Sequence, residues 1–282
     1  MNSENIKKVT NQAIEQLIGA LNAGKSEVLT NYLAAVAKFH AYSFQNILMI
    51  ARQRPDATRV AGFHAWRSLG RYVKKGEKGI AILAPLVRRK ESAEESDASK
   101  ESRIFGFRAV YVFDASQTDG EPLATIGVTQ GEPGEYFTRL EQFVREQGIA
   151  LEYSAEIAPA KGASFGKKIA LLPDLAPAEK FSTLVHELAH EMLHRDARRS
   201  ETTQRVRETE AEAVAFVVGQ AIGLETGSAA ADYISLYNGD SKLLMESLHF
   251  IQLTSNEILN SIDSIGAEDS SAPPAQGSKV SG

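Results

Sequence analysis

Cysteine is absent from the 282 residues, tryptophan occurs once and histidine six times. Without cysteine there is no disulfide framework, no thiolate metal site and no thiol nucleophile, so any metal must be held by His, Asp or Glu. No uncharged apolar run approaches the ~20 residues needed to span a bilayer, which argues against a membrane partner. The start, MNSENIKKVTNQAIEQLIGAL, is amphipathic and polar rather than a basic end followed by an apolar block. It does not read as a secretory signal, and a cytoplasmic protein is expected.

What remains is ordinary globular composition, 43% hydrophobic and 24% charged, in a chain long enough for two domains of usual size. The formal net charge of −5 hides an asymmetry. Residues 1–130 carry 18 basic and 13 acidic side chains (+5), and residues 131–282 carry 13 and 23 (−10). The two halves are therefore expected to meet different partners.

Apolar spacing predicts helices over residues 4–22, from Ser26 to Phe39, and from a cap at Ser43 to a stop at Pro55. GIAILAPLV and residues 103–113 read as paired strands, with the polar stretch between them a hairpin loop. The segment from Asp114 to Gly134 reads as an inter-domain linker. A helix over about 135–147, the strand IALEY and a hairpin ending in KKIALLP follow. Pro177 suits the first turn of the next helix, which runs to about Arg195. A helix over 204–222 stops at Gly223, Asp240 caps a last helix over 241–262, and residues 266–282 are expected to be a disordered tail.

Three of the six histidines fall in HELAHEMLH, residues 186–194, where His-Glu-x-x-His occurs twice and overlaps at His190. Spacing of four on a helix brings two imidazoles to one face, where both reach a single ion, and the glutamate beside them can take a proton from metal-bound water. His194 is rotated about 80° from His186, so all three do not face one ion comfortably. The first copy is taken, with His186 and His190 as ligands and Glu187 as the catalytic base. His194 is read as a helix-end histidine placed against the dipole.

A third ligand is sought on the helix containing RETEAEAVAFVVG. Glu208 shares the inward face of Ala211 and Ala215, Glu212 lies one turn on and would orient a liganding imidazole, and Glu210 fits a solvated acidic face. His186, His190 and Glu208 resemble the ligand set of the gluzincin metallopeptidases, whose third ligand also opens a Glu-x-x-Ala. Asp196, ten residues after His186, is the rival, since metzincin-like proteases carry a ligand at that spacing. Leu193 stands where that pattern has a glycine, so Glu208 is preferred. Three protein ligands leave a position for water. Zinc is the expected ion, with Mn or Co as substitutes, and the reaction is peptide hydrolysis on a protein or peptide substrate, for which KKIALLP would supply a pairing strand.

Between Arg52 and Lys90, eleven basic residues against Asp56 and Glu77 give a local charge of +9, interleaved with Phe63, His64, Trp66 and Tyr72. Cations for phosphates and rings for bases suit a single-stranded nucleic acid. YSFQNILMIARQRPDATRVAGFHAWRSLGRYVKKGEKGIAILAPL, followed by RAVYVFDASQTDGEPL, resembles the N-terminal domain of ArdC-type antirestriction proteins. The likeness rests on Tyr-Ser-x-x-Asn, Gly-Phe-x-x-Trp, Val-Lys-Lys-Gly-Glu-Lys-Gly and Val-Phe-x-x-x-Gln-Thr-x-Gly. It implies a single-stranded-DNA-binding domain followed by a metallopeptidase-like domain, and protection of incoming DNA from restriction. By that resemblance Tyr42, Ser43, Asn46, Trp66, Arg71, Lys74, Lys75 and Lys78 are the candidate DNA contacts.

The expected fold class is α+β, with an ssDNA-binding domain over 1–125 and a zincin-like metallopeptidase domain over 132–265. Two rival functions remain: a DNA-binding antirestriction protein whose metal is structural and which cleaves nothing, and a metallopeptidase whose basic domain recruits an acidic protein partner.

Overall fold

Apolar stripes at the start of the chain form three helices, α1 (Ser3–Asn22), α2 (Ser26–Phe39) and α3 (Phe44–Gln53). The computed structural model describes residues 3–23, 26–89, 102–122, 131–224 and 241–263. Leu17 and Leu21 of α1, Leu29, Leu33 and Val36 of α2, and Ile47 and Ile50 of α3 are buried at helical spacing. Packing of these stripes, more than helix propensity, stabilises helices of this length. Ser43 caps α3 by accepting from the Asn46 amide, and the helix ends at Arg54, the residue before Pro55.

The chain then builds an antiparallel sheet of order β1-β4-β3 from β1 (Val60–Gly62), β3 (Ile80–Arg89) and β4 (Ser102–Asp114). Between β1 and β3 lie α4 (Phe63–Ser68) and β2 (Arg71–Val73), and β2 pairs with β5 (Thr118–Gly120). Two amides of α3 grip the outer edge of β3. Asn46 donates to the Leu83 carbonyl and accepts from its N–H, both at 2.9 Å. Gln53 makes the same exchange with Ala81. That edge is thereby closed to another strand along this stretch.

The linker expected from Asp114 onward begins later. Asp114 accepts from the Thr58, Arg59 and Ser116 amides, which hold its carboxyl below the usual range against the opposing effect of burial. Gln117 completes a capping box around the turn 115–117, which leads into β5. The β3–β4 hairpin forms, with a register shift between Leu86 and Val87. Most of its expected loop (90–101), the later linker (123–130), the Asp240 cap and the tail (266–282) lie outside the described residues.

The chain divides into two units, residues 1–127 with 227–252, and residues 128–226 with 253–282. In the second, α5 (Glu135–Glu146) buries Leu140, Phe143 and Val144. A sheet of order β6-β8-β7 follows, from β6 (Ala150–Tyr153), β7 (Gly162–Ser164) and β8 (Lys168–Leu171). β6 runs parallel to β8, and β7 antiparallel. KKIALLP therefore holds the central strand, with both of its edges paired, and cannot accept a substrate strand; β7 is an edge instead. Pro177 opens α6 (Pro177–Leu193), which packs on β7, β8 and α8 (Gln204–Ala221), with the short α7 (Asp196–Glu201) between the long helices. Gly223, at φ +82, ends α8 as expected. The last helix, α9, spans Ser241–Asp263.

Candidate metal centre

Leu184, Val185, Leu188 and Ala189 of α6 and Ala211, Val214, Ala215 and Val218 of α8 are buried between the two helices and their neighbours. A turn of 100° per residue then decides which polar side chains meet across them. The Nε2 atoms of His186 and His190 lie 3.1 Å apart, and each is 3.5 Å from Glu208 Oε2. These residues form a group of potential metal ligands among the described residues. A tetrahedral ion with bonds of about 2.0–2.2 Å separates its ligand atoms by roughly 3.3–3.6 Å. The triangle is close to that size, so the residues present fit a divalent ion with no large rearrangement.

Charge is distributed unevenly around the triangle. Burial opposes a proton on His186, but Glu208 and Glu212 outweigh it and push the imidazole up to about 9. Burial and the neighbouring His186 cation push His190 down to about 4. A single proton is thus kept on His186 at neutral pH. Glu208 and Glu212 lie below the ordinary carboxylate range, chiefly through their hydrogen bonds with His186. Glu212 Oε2 stands 3.6 Å from His186 Nδ1, on the side of the ring away from Glu208.

Glu187 is buried, and burial raises its carboxyl above the ordinary range, more than the nearby His186 lowers it. A Cβ on Gly162 would lie 2.8 Å from Glu187 Cγ and 2.9 Å from Oε1, so glycine lets β7 pass this close. The glutamate of the second motif copy has another task. Glu191 accepts from Ser164 Oγ at 2.5 Å and from the Gly166 and Lys167 amides at 2.8 Å, and it pairs with Arg195. It fastens α6 to the β7–β8 turn.

One expectation on these helices is corrected. Glu210 is not a solvated carboxylate: it is fully buried, 2.9 Å from His194 Nε2 and 2.6 Å from Arg198. Its neighbours Glu208 and Glu212 have the exposed side chains, 52% and 63%. The cause is that α8 is buried over most of its circumference, so its open side is the one facing the two histidines. His194 ends α6 as its C-cap, as expected, and is in addition 2% exposed with Nδ1 3.0 Å from His190 Nδ1. The i, i+4 spacing of His190 and His194 was a legible signal for that contact. Asp196 begins α7, beyond the end of α6.

In the basic unit most DNA-contact candidates have partners within the fold. Trp66 is fully buried and donates to the Phe113 carbonyl at 2.8 Å, so its ring is not available to a base. Tyr42 donates to the Val60 carbonyl, Ser43 caps α3 and Asn46 grips β3. Arg71 binds Thr118 and the Gly120 and Glu121 carbonyls. Lys74 reaches the Ser116 carbonyl and Asp119, while Lys75 and Lys78 are exposed. Among the described residues of this unit, the exposed Phe and Tyr rings are Phe63, Tyr72, Phe107 and Tyr111. Tyr111 and Phe107 lie on one face of β4 by alternation, a signal the sequence held but that motif reading passed over.

Residues 3–113 match the family model of the N-terminal domain of anti-restriction factor ArdC. Over these residues the chain is similar to that domain. Its fold is similar to that of the antirestriction ArdC protein from plasmid R388 in two crystal structures. The metal-free one aligns with a TM-score of 0.52 at 19% identity over 90% of this chain and 98% of that one. The Mn(II)-bound one aligns at 0.51 and 18%, over 93% and 99%. The chain is also 21% identical over 311 residues to the uncharacterized protein pXO2-81 of Bacillus anthracis, covering 92% of this chain and 52% of that protein. It spans about half the length of that relative.

Proposed function

We propose that this protein is a zinc-dependent metallopeptidase joined to a domain that binds single-stranded DNA, and that it acts in protecting incoming DNA from restriction. The observation that carries the enzymatic part is the triangle of His186, His190 and Glu208 with the carboxylate of Glu187 beside it. Two imidazoles and one carboxylate suit zinc, and the Mn(II)-bound structure of the similar R388 protein supports a divalent ion in a chain of this fold.

A bound ion would polarise a scissile carbonyl and lower the pKa of a coordinated water. Glu187, whose buried carboxyl has a raised proton affinity, would take a proton from the attacking water and later pass it to the leaving amine. Glu212 holds the Nδ1 side of His186. β7, an edge strand set against Glu187 by Gly162, presents backbone to an extended peptide. The test is Glu187→Gln in the full chain, with casein turnover and bound zinc measured together. Retained zinc with turnover lost supports a peptidase; equal turnover in both proteins, or none in the parent, favours a metal of structural role.

The DNA part rests on the exposed cations Lys75 and Lys78 beside exposed rings. Phe63 lies 6.5 Å from Phe113, and Gly79 packs against Phe113 and Tyr111, which makes a continuous aromatic patch next to Lys78. Sequence-tolerant stacking with phosphate contacts is the binding mode this favours. Anisotropy of a labelled oligonucleotide across a salt series checks it, and salt-independent binding would favour an acidic protein partner.

A further inference from the structure

The two imidazoles that face Glu208 are held from behind in different ways. Behind His186 stands the exposed carboxylate of Glu212. Behind His190 stands a buried series: His194 Nδ1 at 3.0 Å, then Glu210 Oε2 at 2.9 Å from His194 Nε2, then Arg198 at 2.6 Å from Glu210 Oε1. The side chains of His194 and Glu210 are wholly inaccessible to solvent.

We propose that His194 is a positioning residue for His190, selecting which of its nitrogens is free to bind a metal, and that Glu210 and Arg198 in turn set His194. The proposal rests on the metal-centre reading above and adds residues that lie outside its ligand set.

Hydrogen accounting gives the direction. Glu210, paired with a guanidinium, is a carboxylate and only accepts, so His194 Nε2 carries a hydrogen. With that as the ring's one hydrogen, Nδ1 is bare and can only accept. His190 Nδ1, 3.0 Å away, is then the donor. A ring that spends its hydrogen on that bond offers Nε2 as its bare nitrogen, the atom that stands 3.5 Å from Glu208 Oε2. The opposite tautomer of His190 would set two lone pairs against each other in a buried site, where an unmade hydrogen bond is costly.

Two substitutions separate this role from plain packing. His194→Asn keeps an acceptor oxygen near the place of Nδ1, whereas His194→Gln keeps a donor near the place of Nε2 and removes the acceptor. Zinc affinity of each full-length protein is measured against a chromophoric chelator, with the melting temperature of the metal-free form beside it. His194→Gln is expected to bind zinc about 10–100-fold more weakly, the usual cost of losing a partner behind a liganding imidazole, and His194→Asn within a few-fold of the parent. Parent-like affinity in His194→Gln overturns the proposal, as do equal losses in both variants that track the melting temperature. Should neither variant fold, ¹⁵N spectra of histidine-labelled parent protein decide. The metal-free chain should show His190 with its hydrogen on Nδ1 and an N–N coupling to His194; a hydrogen on Nε2 overturns the proposal. If that coupling is present and the parent takes up no zinc, the metal-centre reading fails while the tautomer assignment stands.

Discussion

The motif-bearing residues of the two units aim their polar atoms at different things. On α6 and α8, His186, His190 and Glu208 point at one another around a space the size of an ion, with no backbone group to satisfy. In the basic unit, Asn46, Asp114 and Gln117 point at backbone amides and carbonyls of neighbouring strands and turns. Both sets read as signatures along the chain. Only the first has its chemistry left over after the fold is satisfied, and the second preserves the shape of a domain whose contacts with partners lie elsewhere.

The contrast is broken most directly by removing ligands. Glu208→Ala and His190→Ala should each take bound metal from one ion per chain to background, since two protein ligands hold zinc poorly. Asp196→Ala should leave it unchanged. Elemental analysis of the three purified proteins checks this; loss of metal in Asp196→Ala with retention in Glu208→Ala would reverse the ligand assignment.

The same comparison predicts that motif residues of the basic unit report stability first. Trp66→Ala should cost about 3–5 kcal/mol, as for a large buried ring, together with the hydrogen bond to Phe113. Denaturant unfolding measures it. A variant of full stability and reduced DNA affinity would return Trp66 to the binding surface.

Much of this was legible in the sequence, for reasons that differ by residue. The helices and the β3–β4 hairpin followed from periodicity, and the pairing of His186 with His190 from a spacing of one turn. For Glu208 an inward-facing carboxylate is the wrong criterion: its side chain is half exposed and Glu210 is the inward one. Periodicity along α8 locates a buried face but not how wide it is, and that width depends on how many elements pack around the helix. Trp66 shows the same limit: aromatic among cations describes a stacking platform and a domain core equally well, until the fold shows that its indole donates to a carbonyl inside.

Proton linkage sharpens the metal site. The imidazole of His186 lies at about 9 against an ordinary 6.5, so in the metal-free chain its stabilising contribution is complete below 6.5 and is lost as pH rises through about 9. If His186 is a ligand, metal binding requires its deprotonated ring, so each ion taken up below about pH 9 should displace one proton from it. Apparent affinity should fall about tenfold per pH unit below that value, roughly 100-fold over two units. Titrations at several pH values check the slope. A flat profile would mean that Glu208 and Glu212 do not hold a proton on His186.

The smallest effects are expected where the charge is most exposed. Lys75→Ala and Lys78→Ala should leave stability within about 0.5 kcal/mol, because surface substitutions away from packing contacts rarely do more. Each should lower the slope of log affinity for an oligonucleotide against log salt by about 1 if it neutralises one phosphate. Tyr111→Ala and Phe63→Ala should weaken binding by about 1–3 kcal/mol with the slope unchanged, as loss of a stacking ring would. The two kinds of substitution therefore move different quantities, slope for cations and affinity at constant slope for rings. An unchanged slope in Lys78→Ala together with unchanged affinity in Tyr111→Ala would place the DNA on another face of the domain and leave this patch without a part in binding.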